Sequence, residues 1–315
     1  MSATSYPPET SAAAAWPAQL WKNGDQGTHR AWRRPDGAAA TYTAWESDGG
    51  APVERVIVAV HGISGAPRDF VPLGHAFRRR RTHIFAPQMR GQGHETDDSH
   101  RGDITSSRLW LNDIRHFLRE TRQRHPGVPI YLYGESMGAI LSVNTLDVLP
   151  PEELPTGAIL ASPVFAIDNP PNWWRTILYN TAMYLLPRRR LRFGEFKTKR
   201  DKDLRITNDD EYQAALHAAP HYVSSYTFRF FRELRKLILN CPRAAARLSV
   251  PTFVPYAVRD IFIRPATLEA FWKLADNPNV TLSRYEESHH LLLHDVAMER
   301  VLEDLTRWLA SVEKR

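Results

Sequence analysis

The arrangement best suited to chemistry is the pentapeptide Gly134-Glu135-Ser136-Met137-Gly138. A serine hydroxyl attacks a carbonyl only when a base removes its proton and the backbone holds it within reach. A G-x-S-x-G turn meets the second need by joining a strand to a helix so sharply that the serine stands out on a strained backbone. Side chains at the two glycine positions would collide with the neighbouring strand and helix. Residues 130–133 before the turn read as strand and residues 139–149 after it as helix, so the required setting is present. Ser136 is the candidate nucleophile. The oxyanion formed on attack needs backbone N–H donors. Met137, directly after the nucleophile, supplies one candidate. Ile63, in His61-Gly62-Ile63-Ser64-Gly65 after an earlier strand, supplies the other.

An acid and then a base are expected after later strands, in that order. Asp260 lies just past the strand-like run Val250-Pro251-Thr252-Phe253-Val254-Pro255-Tyr256. Catalytic groups collect at such C-terminal strand ends in open α/β sheets. The next strand runs into Glu286-Glu287-Ser288-His289-His290, before the last helix. His289 and His290 both suit a base held in a loop, whereas His294 falls toward the helix and is disfavoured. His94, His100, His116, His125 and His217 read as surface or loop residues.

These residues must be positioned by strands and helices in alternation. Strands are expected at residues 53–60, 82–87, 129–134, 158–162, 252–258 and 280–285. Helices are expected at 70–80, 105–124, 139–149, 265–275 and 297–312. This alternation implies an α/β fold with a doubly wound, mostly parallel sheet. Residues 165–248 interrupt it, and a segment of that length cannot be a bare loop in a compact domain. They read as an inserted helical cap between core segments 26–164 and 249–315, after a loosely ordered lead-in over 1–25.

The chain has 315 residues, 43% of them hydrophobic and 24% charged, which suits one large globular domain with an insertion. The net charge of +6 sits mostly in two arginine-rich runs, 78–81 and 188–192, which read as solvated faces. No nucleic-acid motif accompanies them. A single cysteine, Cys241, excludes an internal disulfide. No signal peptide and no run of 18 apolar residues is present, so a cytoplasmic location is expected, with neither metal nor cofactor.

Together, several motifs resemble the monoacylglycerol lipase/lysophospholipase branch of the α/β hydrolases, grouped with serine aminopeptidase-like proteins. They are His61-Gly62, Arg90-Gly91-Gln92-Gly93, Arg101-Gly102-Asp103-Ile104, the Ser136 pentapeptide, Val250-Pro251-Thr252 and Ser288-His289-His290-Leu291-Leu292-Leu293. The resemblance spans about residues 53–312 and departs from the pattern at Gln88-Met89 and at Ala257-Val258-Arg259. It implies an α/β-hydrolase fold, places the base at His290, and makes the cap the cover of the acyl pocket. Trp173, Trp174 and Ile177 are then the candidate substrate contacts, on an apolar stretch that ends at Arg188-Arg189-Arg190. That stretch reads as packing over the site, with contact to an anionic membrane surface as the alternative. A second cap helix is expected around Phe228, Phe230, Phe231, Leu234, Leu237 and Ile238. The expected activity is hydrolysis of carboxylic esters, acylglycerol-like or other. A peptidase or amidase on the same triad would need cap carboxylates such as Glu195, Asp209, Asp210 or Glu211 to hold a substrate amine. A non-catalytic binding relative would have no need of all three groups, and acyl transfer to an alcohol would use the same ones.

Overall fold

In the computed structural model, residues 20–47, 52–93, 100–166, 173–192 and 205–314 are described. Most of the expected lead-in lies outside them, and from Leu20 the chain forms a short helix, α1 (Leu20–Asn23). The eight-stranded main sheet is built from β1 (Thr28–Arg33), β2 (Ala39–Trp45), β3 (Arg55–Val60), β4 (Thr82–Pro87), β5 (Ile130–Glu135), β6 (Gly157–Ala161), β9 (Thr252–Ala257) and β10 (Val280–Tyr285). Its order is β1-β2-β4-β3-β5-β6-β9-β10. From β4 to β10 all neighbours are parallel, while β1, β2 and β4 pair antiparallel.

Helices cover both faces: α2 (Val71–Phe77), α3 (Ser107–Arg124), α4 (Met137–Val148), α8 (Pro265–Ala275) and α9 (Met298–Glu313). The central strands are buried on both sides, which explains their unbroken apolar runs. In β3, Val56, Val58 and Val60 face a core with Trp110 and Phe117 of α3, while Ile57 and Ala59 face one with Phe77 and Trp308. Each of the valine, isoleucine and phenylalanine side chains contributes about 2 kcal/mol by leaving water.

The β1–β2 hairpin is not foreseen by the alternation, although Pro35-Asp36-Gly37 is a turn signal. Gly37 takes φ +80°, and its N–H donates to Arg34 O at 2.9 Å. Between β6 and β9 lie α5 (Trp173–Leu185), β7 (Arg190–Arg192), α6 (Asp210–Ala218), β8 (Ser225–Thr227) and α7 (Phe228–Ala246). Among the described residues of this stretch, α5, α6 and α7 account for most of the length, and β7 and β8 pair into a small antiparallel ribbon. The Thr227 hydroxyl caps α7 by accepting from Phe230 N–H at 3.2 Å.

The Arg-Gly-x-Gly turn is a structural knot. Arg90 makes a two-pronged bond to Asp113 of α3, at 3.0 and 3.1 Å, and reaches Asp36 at 2.8 Å. Gly91, at φ +76°, passes so close to Asp103 O that a Cβ there would stand 2.4 Å away.

Candidate active site

Ser136 occupies the junction of β5 and α4 with φ 54° and ψ −115°, a backbone state that L-residues hold only under tertiary constraint. The constraint is visible in its neighbours. A Cβ on Gly134 would lie 2.5 Å from Gly138 O, and one on Gly138 would lie 2.0 Å from Val60 O. Only hydrogen fits at either position. A Cβ on Gly62 would come 3.3 Å from that of Ser136, so the turn after β3 passes directly beside the Ser136 side chain.

The Ser136 hydroxyl lies 2.8 Å from His290 Nε2, and His290 Nδ1 lies 2.7 Å from Asp260 Oδ2. With Asp260 accepting from Nδ1–H, Nε2 is left to accept the hydroxyl proton. Both side chains are almost wholly buried. Asp260 Oδ1 accepts from Phe262 N–H at 2.8 Å, and the Phe262 ring stands edge-on to the imidazole with centroids 4.5 Å apart. The neighbouring histidines are engaged elsewhere. His289 turns to Asp295, through its backbone N–H at 2.6 Å and ring Nδ1 at 3.2 Å. His294 sits in a 3₁₀ turn before α9, not in the helix, and its Nε2–H donates to Asp69 O at 2.7 Å.

Among turn residues 63–66, the Ser64 N–H donates to Gln92 Oε1 and Tyr226 Oη, Gly65 N–H to Gly62 O, and Ala66 N–H to Asp69 Oδ2. Only the Ile63 N–H has no acceptor among the described residues. Met137 opens α4, where the first N–H groups have no partner inside the helix. His61, before this turn, is structural: its Nδ1–H donates to Gly62 O at 2.9 Å, and its Nε2 accepts from Met89 N–H at 3.1 Å. Burial lowers its pKa from 6.5 to about 4. Gln88, one of the departures from the family pattern, adds a contact to the same nitrogen at 3.2 Å.

Ser136 and His290 open into a cavity of about 470 Å³. Ile206, Tyr212, Leu216 and Tyr222 line it from the stretch between β6 and β9, and Ile261 and Phe262 line it beside Asp260. None of these was singled out from sequence, and only Ile261 and Phe262, directly after Asp260, carried a local signal. Trp173 and Trp174 have side chains outside the described residues. Ile177 is 57% exposed and lies outside the residues that line this cavity. Two buried carboxyls also line the cavity. Burial raises Glu135 from 4.5 to about 8, reinforced by the charge of Asp69, and burial raises Asp69 from 3.8 to about 6. Among the described residues no cluster of three or more His, Cys, Asp or Glu side chains could hold a metal ion.

The family model described as "Serine aminopeptidase, S33" matches residues 51–297. The chain belongs to that family of α/β hydrolases. Among curated relatives of this S33-family chain, the monoglyceride lipase of Mus musculus is 22% identical over 285 residues, covering 87% of this chain and 88% of the relative. A soluble variant of monoglyceride lipase from Saccharomyces cerevisiae, solved with a substrate analogue, superposes with TM-score 0.78 at 19% identity, covering 92% of this chain and 96% of that one. A thermostable carboxyl esterase from Bacillus coagulans, solved with glycerol, gives 0.74 at 15% identity, covering 90% and 98%. The S33-family chain is thus a distant relative of lipases and esterases with their fold. No described helix is long and apolar enough to cross a membrane.

Proposed function

We propose that the protein hydrolyses carboxylic esters through an acyl-enzyme on Ser136. The observation that carries this reading is the hydrogen-bonded chain from Ser136 through His290 to Asp260, with Ser136 and His290 lining a largely apolar cavity. Ser136 Oγ attacks the acyl carbon while His290 Nε2 takes the hydroxyl proton, and Asp260 stabilises the resulting imidazolium. The carbonyl electron pair moves onto oxygen, where the Ile63 and Met137 N–H groups receive it. Collapse expels the alcohol, which leaves with the proton held by His290. Water then attacks the acyl-enzyme by the same steps and releases the acid.

An ester is favoured over an amide with a free amine by where the cap carboxylates go. Asp209 caps α6, Asp210 pairs with Arg205, and Glu211 pairs with Lys22, while Glu195 lies outside the described residues. The monoglyceride lipases and esterases among the relatives support acylglycerol-like or other acyl esters as substrates. At the end of α5, Tyr184, Leu185 and Leu186 are each more than half exposed and adjoin exposed Arg188, Arg189 and Arg190. This exposure supports contact with an anionic membrane surface over packing. Binding to phosphatidylserine vesicles, weakened by Leu185→Asp, is the expected result.

Fluorophosphonate labelling, with hydrolysis of a p-nitrophenyl ester chain-length series, tests the central reading. Wild type is labelled and turns over. A folded Ser136→Ala protein with full activity would refute it.

A further inference from the structure

Ser64 follows the proposed oxyanion donor, Ile63, and holds a left-handed backbone at φ +59°. A serine adopts that state at a cost of about 1–3 kcal/mol and keeps it only when its surroundings impose it. Here they do so through Tyr226 of β8. The Tyr226 hydroxyl accepts from Ser64 N–H at 2.9 Å, lies 2.9 Å from Ser64 Oγ, and donates to Gln92 Oε1 at 2.7 Å. Gln92 Oε1 accepts from the same Ser64 N–H at 2.8 Å, and Ser64 Oγ donates to Val223 O at 2.8 Å. Ser64, Gln92 and Tyr226 are all buried, so each of these bonds is made in low dielectric.

Tyr226 is itself fixed from behind. The next residue, Thr227, donates its hydroxyl to Asp103 at 2.6 Å and its N–H to Gly102 O at 2.8 Å, and Arg229 pairs with the same carboxylate. Gln92 is carried by the turn that Arg90 anchors to Asp113. The inserted stretch and two core turns therefore converge on one residue, and that residue adjoins the Ile63 N–H.

We infer that Tyr226 is a positioning residue for the proposed hydrolysis: its hydroxyl fixes Ser64 and so aims the Ile63 N–H at the oxyanion. The inference rests on Ser136 being the nucleophile. The stretch between β6 and β9 then completes the oxyanion site as well as bounding the cavity.

The test compares wild type, Tyr226→Phe and Ser64→Gly in ester hydrolysis, with active sites titrated by fluorophosphonate. Affinity for an aryl trifluoromethyl ketone is measured alongside. The Ser136 oxygen adds to that ketone, its proton passes to His290, and the carbonyl oxygen becomes an oxyanion. Loss of one oxyanion donor costs about 100- to 1,000-fold in kcat, so loosening one should cost Tyr226→Phe about 10- to 100-fold. KM should stay within about twofold, and ketone affinity should fall in parallel with kcat. Ser64→Gly relieves the left-handed strain and keeps the N–H, so it folds even if Tyr226→Phe does not. It should be as stable as wild type yet slower, by about 3- to 10-fold, because the hydroxyl bonds are gone. A purely structural role would lower the melting temperature and the titrated fraction, and leave kcat per titrated site unchanged. Unchanged kcat per site and ketone affinity in Tyr226→Phe, or in Ser64→Gly where Tyr226→Phe does not fold, overturns the inference, as does a loss confined to KM. A wild-type protein that is neither labelled nor active overturns the nucleophile assignment, and this inference with it.

Discussion

Replacing Glu135 by glutamine removes a carboxyl that is 2% exposed and whose Oε1 has no hydrogen-bond partner among the described residues. Burial and the nearby Asp69 raise its pKa from 4.5 to about 8 in the folded protein. At about 1.4 kcal/mol per pH unit, that rise corresponds to about 5 kcal/mol. Below pH 4.5 the carboxyl is protonated in both states and imposes no penalty. Between pH 4.5 and about 8 the unfolded chain releases the proton first, so stability is lost as pH rises. Above that window both states are ionised and the full penalty is present. His61 and His294 act in the opposite sense: burial lowers both from 6.5 to about 4, so they cost stability as pH falls through that interval. Their contribution is common to wild type and Glu135→Gln and cancels in the difference. Urea unfolding followed by tryptophan fluorescence, from pH 5 to 9, should show the variant gaining on wild type as pH rises. The gap should approach about 5 kcal/mol near pH 8.5. A difference that stays flat across that range refutes the reasoning.

His290→Ala should lose at least about 1,000-fold in ester turnover, whereas His289→Ala, which faces Asp295, should keep most of it. Asp260→Asn should lower kcat by about 10,000-fold with little change in KM, because an amide no longer selects the tautomer that leaves Nε2 free. Gly138→Ala would place a methyl group 2.0 Å from Val60 O, and should cost at least about 3 kcal/mol in chemical denaturation or prevent folding. Asp113→Ala strips Arg90 of its two-pronged partner in a buried setting and should cost about 3 kcal/mol, read as a lower thermal midpoint.

The parallel part of the sheet was legible because strands buried on both faces must be continuously apolar, as in β3 and β5, and because each led into a helical period. The β1–β2 hairpin was less so. Only Trp32 in β1 is buried, so the strand shows no alternation to read. Ser136, Asp260 and His290 could be singled out because each lies next to a strand end, where local pattern and chemical type coincide. Separating His290 from His289 took the family resemblance, since both sit in the same loop and only tertiary packing turns one toward Asp260 and the other toward Asp295. The cavity walls were illegible for a different reason. Tyr212, Leu216 and Tyr222 resemble ordinary amphipathic surface until the inserted stretch is laid over the sheet. Tyr226 was hidden in a three-residue strand, too short to leave a period.

The chain order of the three hydrogen-bonded residues has a consequence for biosynthesis. Protein domains fold as the chain leaves the ribosome from its N-terminus. Ser136 is made while more than half of the chain is still to come, but His290 comes only with the last tenth of it. A nascent or prematurely terminated product therefore has Ser136 without His290, the base of the proposed mechanism. On the proposed mechanism such a product is inert toward esters until the final strand and helix are in place.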